Sequence, residues 1–195
     1  MNRYFIIYKP YLVLSQFSVV DDKQTLQHFF KLPKNVYPVG RLDFDSEGLL
    51  LLTNDASLNH RLLHPQFQHE KEYWAQVEGV PTDQHITQLY KGVSISVDGN
   101  PYLTKSCKAT LLQDVPELPE RNPPIRFRKH IPTTWLSIVV TEGKNRQIRK
   151  MTAAIGFPTL RLVRYRIQNM TIQAMQPGEI IELSKKSIYK KLFNE

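Results

Sequence analysis

Cysteine is nearly absent from this chain. Cys107 is the only one in 195 residues, which excludes an intrachain disulfide framework and any cysteine-rich zinc site. Long apolar runs are missing too: no stretch approaches the roughly 20 residues of a membrane-spanning helix. The first strand-like run, Tyr4 to Tyr8, is followed at once by Lys9-Pro10, so no signal-peptide apolar segment is expected. There are no internal repeats. These absences make a soluble cytoplasmic protein the economical expectation. Acidic residues are in short supply, 18 against 26 Lys and Arg, giving a formal net charge of +8 and a pI near 9.5. An anionic partner is therefore expected, although a basic protein without one fits the same charge.

What is present is ordinary globular composition, 41% hydrophobic and 23% charged, which argues against wholesale disorder. "RYFIIYKP" reads as a short buried strand, and "TLQHFFKLP" places Leu26, Phe29 and Phe30 at helical spacing. "GLLLLT" (48–53) is too short for a helix and suits a strand buried on both faces. "ASLNHRLLH" reads as a helix capped by Asn54 or Asp55 and stopped before Pro65. "KEYWAQVEG" (71–79) alternates as a half-buried strand, and "PTDQHITQLYKGV" reads as a capped helix. Two strands are expected around Asp98-Gly99-Asn100, the second being "KSCKATLLQDV". "TTWLSIVVTEG" is another strand, and "KNRQIRKMTAAIGFP" a helix ending at Gly156. "TLRLVRYRI" and "EIIEL" close the series as strands. Consecutive strands outnumber helices, so the fold class is α+β with a mixed, mostly antiparallel sheet and flanking helices. "VPELPERNPPIRFRKHIP" (115–132), rich in Pro and Arg, reads as an extended loop inside a single domain covering 1–195.

The most informative stretch is "GRLDFDSEGLLLLTND" (40–55), with Asp43, Asp45 and Glu47 just ahead of four leucines. The spacing resembles the start of a calcium loop, yet Asn54 stands where a bidentate Glu belongs, and leucines offer no oxygen ligands. His60, His64 and His69 are loosely spaced, and Pro65 interrupts them, so a zinc site is not supported. Asp45 and Ser46 suit a simple turn. Asp43 fits that reading less well, because a carboxylate beside an apolar strand is desolvated unless a cation answers it. A source of cations exists. From Gly143 to Gly178 there are seven Lys or Arg residues (Lys144, Arg146, Arg149, Lys150, Arg161, Arg164, Arg166) and no acid. That block reads either as a solvated basic face or as one side of a paired site on an anion-binding surface.

"GRLDFDSEGLLLLTND", "KEYWAQVEG" and "TEGKNRQIRKMTAAIGFPTLRLVRY" together resemble, in order, the motif set of the RsuA-type rRNA pseudouridine synthases. "YKPYLVLSQFS", "RNPPIR" and "IPTTWL" are similar to members acting on large-subunit (23S) rRNA. The resemblance implies a pseudouridine synthase catalytic fold with two lobes around a cleft, without the N-terminal S4 RNA-binding module of many members. It implies isomerisation of a specific rRNA uridine after base flipping, with no cofactor and no metal. Asp43 is implied as the catalytic carboxylate, Arg149 as its partner and Tyr73 as the active-site tyrosine that stacks on the base.

Arg41 is implied either to fill the space the base vacates or to hold a phosphate; a surface turn arginine is the alternative. RNA contacts are expected from Lys144, Asn145, Arg146, Gln147, Lys150, Arg161 and Arg164. The 115–132 loop adds Arg121, Arg126, Arg128 and Lys129. The members' motif often has Gly after Lys-Pro-x, whereas Leu12 stands here, and Lys9 and Pro10 are read as structural. A monomer is expected. Two other classes stay open: a non-catalytic rRNA-binding or assembly protein, and a hydrolase using Asp43 and Glu47 as an acid pair.

Overall fold

A computed structural model of the chain describes residues 1–195 except 21, 126, 127 and 129. In chain order the elements are β1 (Tyr4–Lys9), β2 (Val13–Leu14), β3 (Gln24–Thr25), β4 (Tyr37–Pro38), β5 (Glu47–Thr53), α1 (Ala56–Leu63) and β6 (Lys71–Glu78). Next come α2 (Asp83–Lys91), β7 (Ser94–Val97), β8 (Asn100–Leu103), β9 (Lys108–Leu111), β10 (Thr133–Val140) and α3 (Gln147–Ala154). β11 (Thr159–Ile167), β12 (Met170–Thr171), β13 (Ile180–Leu183) and α4 (Lys185–Phe193) complete the chain. Two compact units divide it: Met1–His69 with Arg164–Glu195, and Glu70–Val163.

The first unit is organised by β5. Every residue of β5 is buried, and Leu49 to Leu52 are at most 1% exposed, so each leucine contributes about 1.5–3 kcal/mol of burial. β1 lies antiparallel beside it, Tyr4 opposite Thr53 and Lys9 opposite Gly48, with β13 on the far side of β1. Gly48 has φ +107, and a Cβ there would stand 2.4 Å from the Arg164 carbonyl oxygen, so no other residue fits the close approach of β5 to β11. At the other end of β5, Asp55 caps α1 by accepting from the Ser57 and Leu58 amides. Its carboxylate also accepts the hydroxyls of Tyr4 (2.8 Å) and Tyr189 (2.9 Å), tying β1 and α4 to α1. Burial opposes the charge on Asp55, but these hydrogen bonds win and hold its pKa below the usual value. Tyr4, buried and bonded to that carboxylate, is pushed up to about 12.

The second unit pairs β6 with β10 along their full lengths, Tyr73 opposite Ile138, and β10 with β9, all antiparallel. Its core gathers Ala75, Val77, Leu89, Leu136, Ile138, Ile148 and Met151, with Tyr73 and Phe157 packed against it.

Two local expectations are corrected, and one helix is added. "TLQHFFKLP" forms only a short 3-10 turn, Leu26–His28, because Thr25 and His28 close a capping box around one turn and Pro33 leaves no length for more. The hairpin at Asp98-Gly99 runs into β8, where Val97 faces Asn100; β9 is a separate strand on β10. Thr104 turns the chain between them by bonding the Val93 backbone in both directions. α4 was not anticipated, although Ser184 caps it and Ile188 and Leu192 are buried at helical spacing.

Candidate active site

The acidic loop 41–47 lies in the first unit and is held on both sides. Ser15 Oγ donates to the Leu42 carbonyl (2.7 Å) and accepts the Leu42 amide (3.0 Å), fixing the residue before Asp43. The Ser46 amide donates to the Asp43 carbonyl (3.0 Å), closing the turn, and Ser46 and Glu47 are buried. Asp43 itself is half-buried and Arg41 exposed. Asp45 and Ser46 therefore form the expected turn, and the all-buried β5 fixes where it begins.

Among the described residues of the first unit, Lys9 and Arg164 are buried cations beside β5, and Lys23 lies 5.6 Å from the Phe44 ring of the loop. Lys9 is fully buried, and its Nζ donates to the carbonyls of Pro10 (2.9 Å) and Val13 (2.7 Å). Burial pulls its pKa down to about 7; Glu47, Asp43 and Asp45 oppose the fall, and Arg164 adds to it. The β1–β5 register explains the location, since Lys9 faces Gly48 just after the acids. Lys9, read from the sequence as structural, is thus also an electrostatic neighbour of Asp43. Arg164 is 5% exposed and spends Nε on the Leu49 carbonyl (2.7 Å). That geometry suits support of the loop better than contact with a phosphate.

The second unit carries Tyr73, half-buried on β6, and the basic block. The Lys144–Arg146 segment is exposed, and Arg146 caps α3 with φ 54, a left-handed conformation that costs a non-glycine residue energy. Glu142, which sequence reasoning passed over, is its anchor. It accepts from Tyr102 Oη (2.6 Å), the Lys105 amide (3.0 Å) and Gln147 Nε2 (2.6 Å). Gln147 Oε1 in turn accepts the Lys144 amide (2.9 Å). The buried Gln147 is therefore engaged with the protein. Arg149, half-buried on α3, donates to the Thr159 carbonyl (3.3 Å), and Lys150 beside it is half-buried.

The loop arginines are partly committed. Arg121 donates to the Pro123 and Leu160 carbonyls, Arg161 to the Pro119 carbonyl, and Arg128 pairs with Glu78 at 2.9 Å. Arg126 and Lys129, also expected to contact RNA, lie outside the described residues.

Together, a rigidly held carboxylate loop and a basic, exposed helix start are parts suited to a nucleic-acid-modifying enzyme. A crystal structure of a pseudouridylate synthase shares the fold, with TM-score 0.79 and 26% identity over 98% of this chain and 74% of that one. Residues 3–154 match the family described as RNA pseudouridylate synthase, and the chain belongs to that family. Among curated relatives, ribosomal large subunit pseudouridine synthase E of Vibrio vulnificus (strain CMCP6) is 51% identical over 94% of this chain and 76% of its own. The protein of the same name from Xanthomonas axonopodis pv. citri (strain 306) is 48% identical over 88% and 89%.

Proposed function

We propose that this protein converts a specific uridine of large-subunit ribosomal RNA to pseudouridine. The observation that carries the reading is 51% identity, over 94% of this chain and 76% of the relative's, to a protein named for that reaction. The reaction breaks the C1′–N1 bond, turns the uracil and forms C1′–C5; the C5 proton leaves and N1 gains one. Atoms balance within the substrate, so the chemistry calls for a placed carboxylate and an extruded base. In this reading Asp43 supplies the carboxylate, from a loop that Ser15 and β5 hold in place. Tyr73 stacks on the extruded uracil and Arg149 pairs with the carboxylate. Arg41, exposed beside Asp43, fills the vacated space or holds the adjoining phosphate.

Among the basic residues, Lys144, Asn145, Arg146 and Lys150 are assigned to RNA contact, with the loop residues Arg126 and Arg128. Arg121, Arg161, Arg164 and Gln147 position the segments that carry them. The chain acts as one catalytic unit over 1–195, as a monomer in the cytoplasm.

Pseudouridine mapping in large-subunit rRNA from a strain lacking the gene tests the proposal. One modified position should disappear and return when the gene is restored. An unchanged pseudouridine map would sink it.

A further inference from the structure

α1 ends in an exposed run, Leu63 to Gln68, in which Leu63 is 45% and Phe67 40% exposed. Large apolar side chains left in water beside a packed core are a cost unless a partner covers them. These are also held rigidly. Pro65 opens a 3-10 turn and Gln68 closes it at φ 47. The Phe67 ring stacks on the buried His69 (6.0 Å, 21°), and His64 meets Phe67 edge-on (6.0 Å). His69 in turn packs on Phe193 of α4 (5.4 Å), and Arg61 lies 3.8 Å above the same Phe193 ring while pairing with Glu195. The result is a preorganised set of flat rings backed by α4.

α4 brings charge to that surface. Lys186, Tyr189, Lys190 and Phe193 follow at i, i+3, i+4 and i+7, so both lysines share the stripe that carries Phe193. Both are exposed, and neither makes an ion pair among the described residues. Lys185 and Lys186 also occupy the first helical turn, where the dipole disfavours cations. Lys185 is offset by its contact with the Tyr189 ring (5.2 Å), whereas no such local contact accompanies Lys186 among the described residues.

The surface adjoins the acidic loop. Gly40, three residues before Asp43, has φ +71, and a Cβ on it would lie 3.0 Å from Leu63 Cδ2. We propose that this face receives an unpaired stretch of the target RNA beside the extruded uridine, with bases stacked on Phe67 and His64 and phosphates held by Lys186 and Lys190. The proposal rests on the RNA reading above and adds a recognition subsite to it. Rings supply sequence-tolerant stacking, and lysines on the same stripe supply the counter-charge of a backbone.

The test uses the full chain and unmodified large-subunit rRNA transcribed in vitro, with filter binding and turnover measured separately. His64→Ala with Phe67→Ala should raise KM about tenfold, with kcat at saturating RNA within about twofold. Phe67→Tyr, which keeps a ring, should behave as wild type. Lys186→Gln with Lys190→Gln should reduce the salt slope of binding by about 1.5. Unchanged KM, affinity and slope in variants whose thermal melts are normal would overturn the proposal. So would a loss seen only on assembled ribosomal particles, which would mean that the face takes a protein. A wild type that binds the transcript without turnover defeats the functional reading instead, and filter binding of the variants still decides the subsite.

Discussion

Replacing Lys9 by Met should change the pH dependence of stability, and both sign and size follow from where Lys9 sits. The ordinary lysine value is 10.5, and burial brings the folded-state value to about 7. Below about pH 7 both folded and unfolded chains hold the proton, and the full penalty for a buried charge is present. Between these values the unfolded chain binds a proton that the native chain does not, so stability rises with pH. Above 10.5 neither state is charged and the penalty is gone.

The slope contributed by this one group approaches about 1.4 kcal/mol per pH unit. From pH 7 to 9 that amounts to roughly 2–3 kcal/mol, or about 5–10 °C in melting temperature for a chain of this size. Met fills much of the same space without titrating. It leaves the Pro10 and Val13 carbonyls without their donor, a pH-independent cost of about 1–3 kcal/mol. Urea melts of both proteins at about pH 7, 8 and 9 isolate the effect, because other titrating groups cancel in the difference. Wild type should gain stability relative to Lys9→Met across the series. Parallel pH dependences would mean that Glu47, Asp43 and Asp45 keep Lys9 charged throughout and that burial does not lower its proton affinity.

Two further outcomes concern structure around the site. Gly48→Ala should destabilise the protein by about 3 kcal/mol or more, since strain at positive φ adds to a backbone clash; a melt within about 1 °C of wild type would contradict the close approach. Glu142→Ala should speed amide exchange at Lys144 and Arg146 and cost about 1–3 kcal/mol. In the same variant the Tyr102 phenol, held above its usual value first by its bond to Glu142, should titrate lower in tyrosine NMR. An unmoved Tyr102 resonance would remove Glu142 as the anchor.

Much of this was legible in the chain because local chemistry and tertiary structure agree. Leu49 to Leu52 read as a doubly buried strand and are one; "TLRLVRYRI" matches β11 end to end. α1 and α2 announce themselves through Asp55 and Thr82. The short 3-10 turn at Leu26–His28 shows where helical spacing misleads: Leu26 and Phe30 are buried by tertiary packing around a single turn. At the site, the need of the acids for a cation was readable, but the acid-free block 143–178, with its seven Lys or Arg, outweighed a single lysine near Tyr8. Only the register of β1 on β5 reveals that a lysine near the N-terminus lies beside Gly48. Glu142 was missed for a similar reason, as it sits just outside the acid-free block whose loop it anchors. Arg121, Arg128 and Arg161 counted simply as positive charges in the sequence, and side-chain geometry was required to find them bonded to Leu160, Glu78 and Pro119.

Release of tritium from rRNA labelled at uridine C5 decides whether the proposed carboxylate on the 41–47 loop drives uridine isomerisation. Each C1′–C5 bond formed expels one C5 hydrogen. Wild-type protein should release tritium in proportion to pseudouridine formed, and Asp43→Asn, folded and still binding the transcript, should release none above background. No release by wild type, or substantial release by Asp43→Asn, would contradict that role.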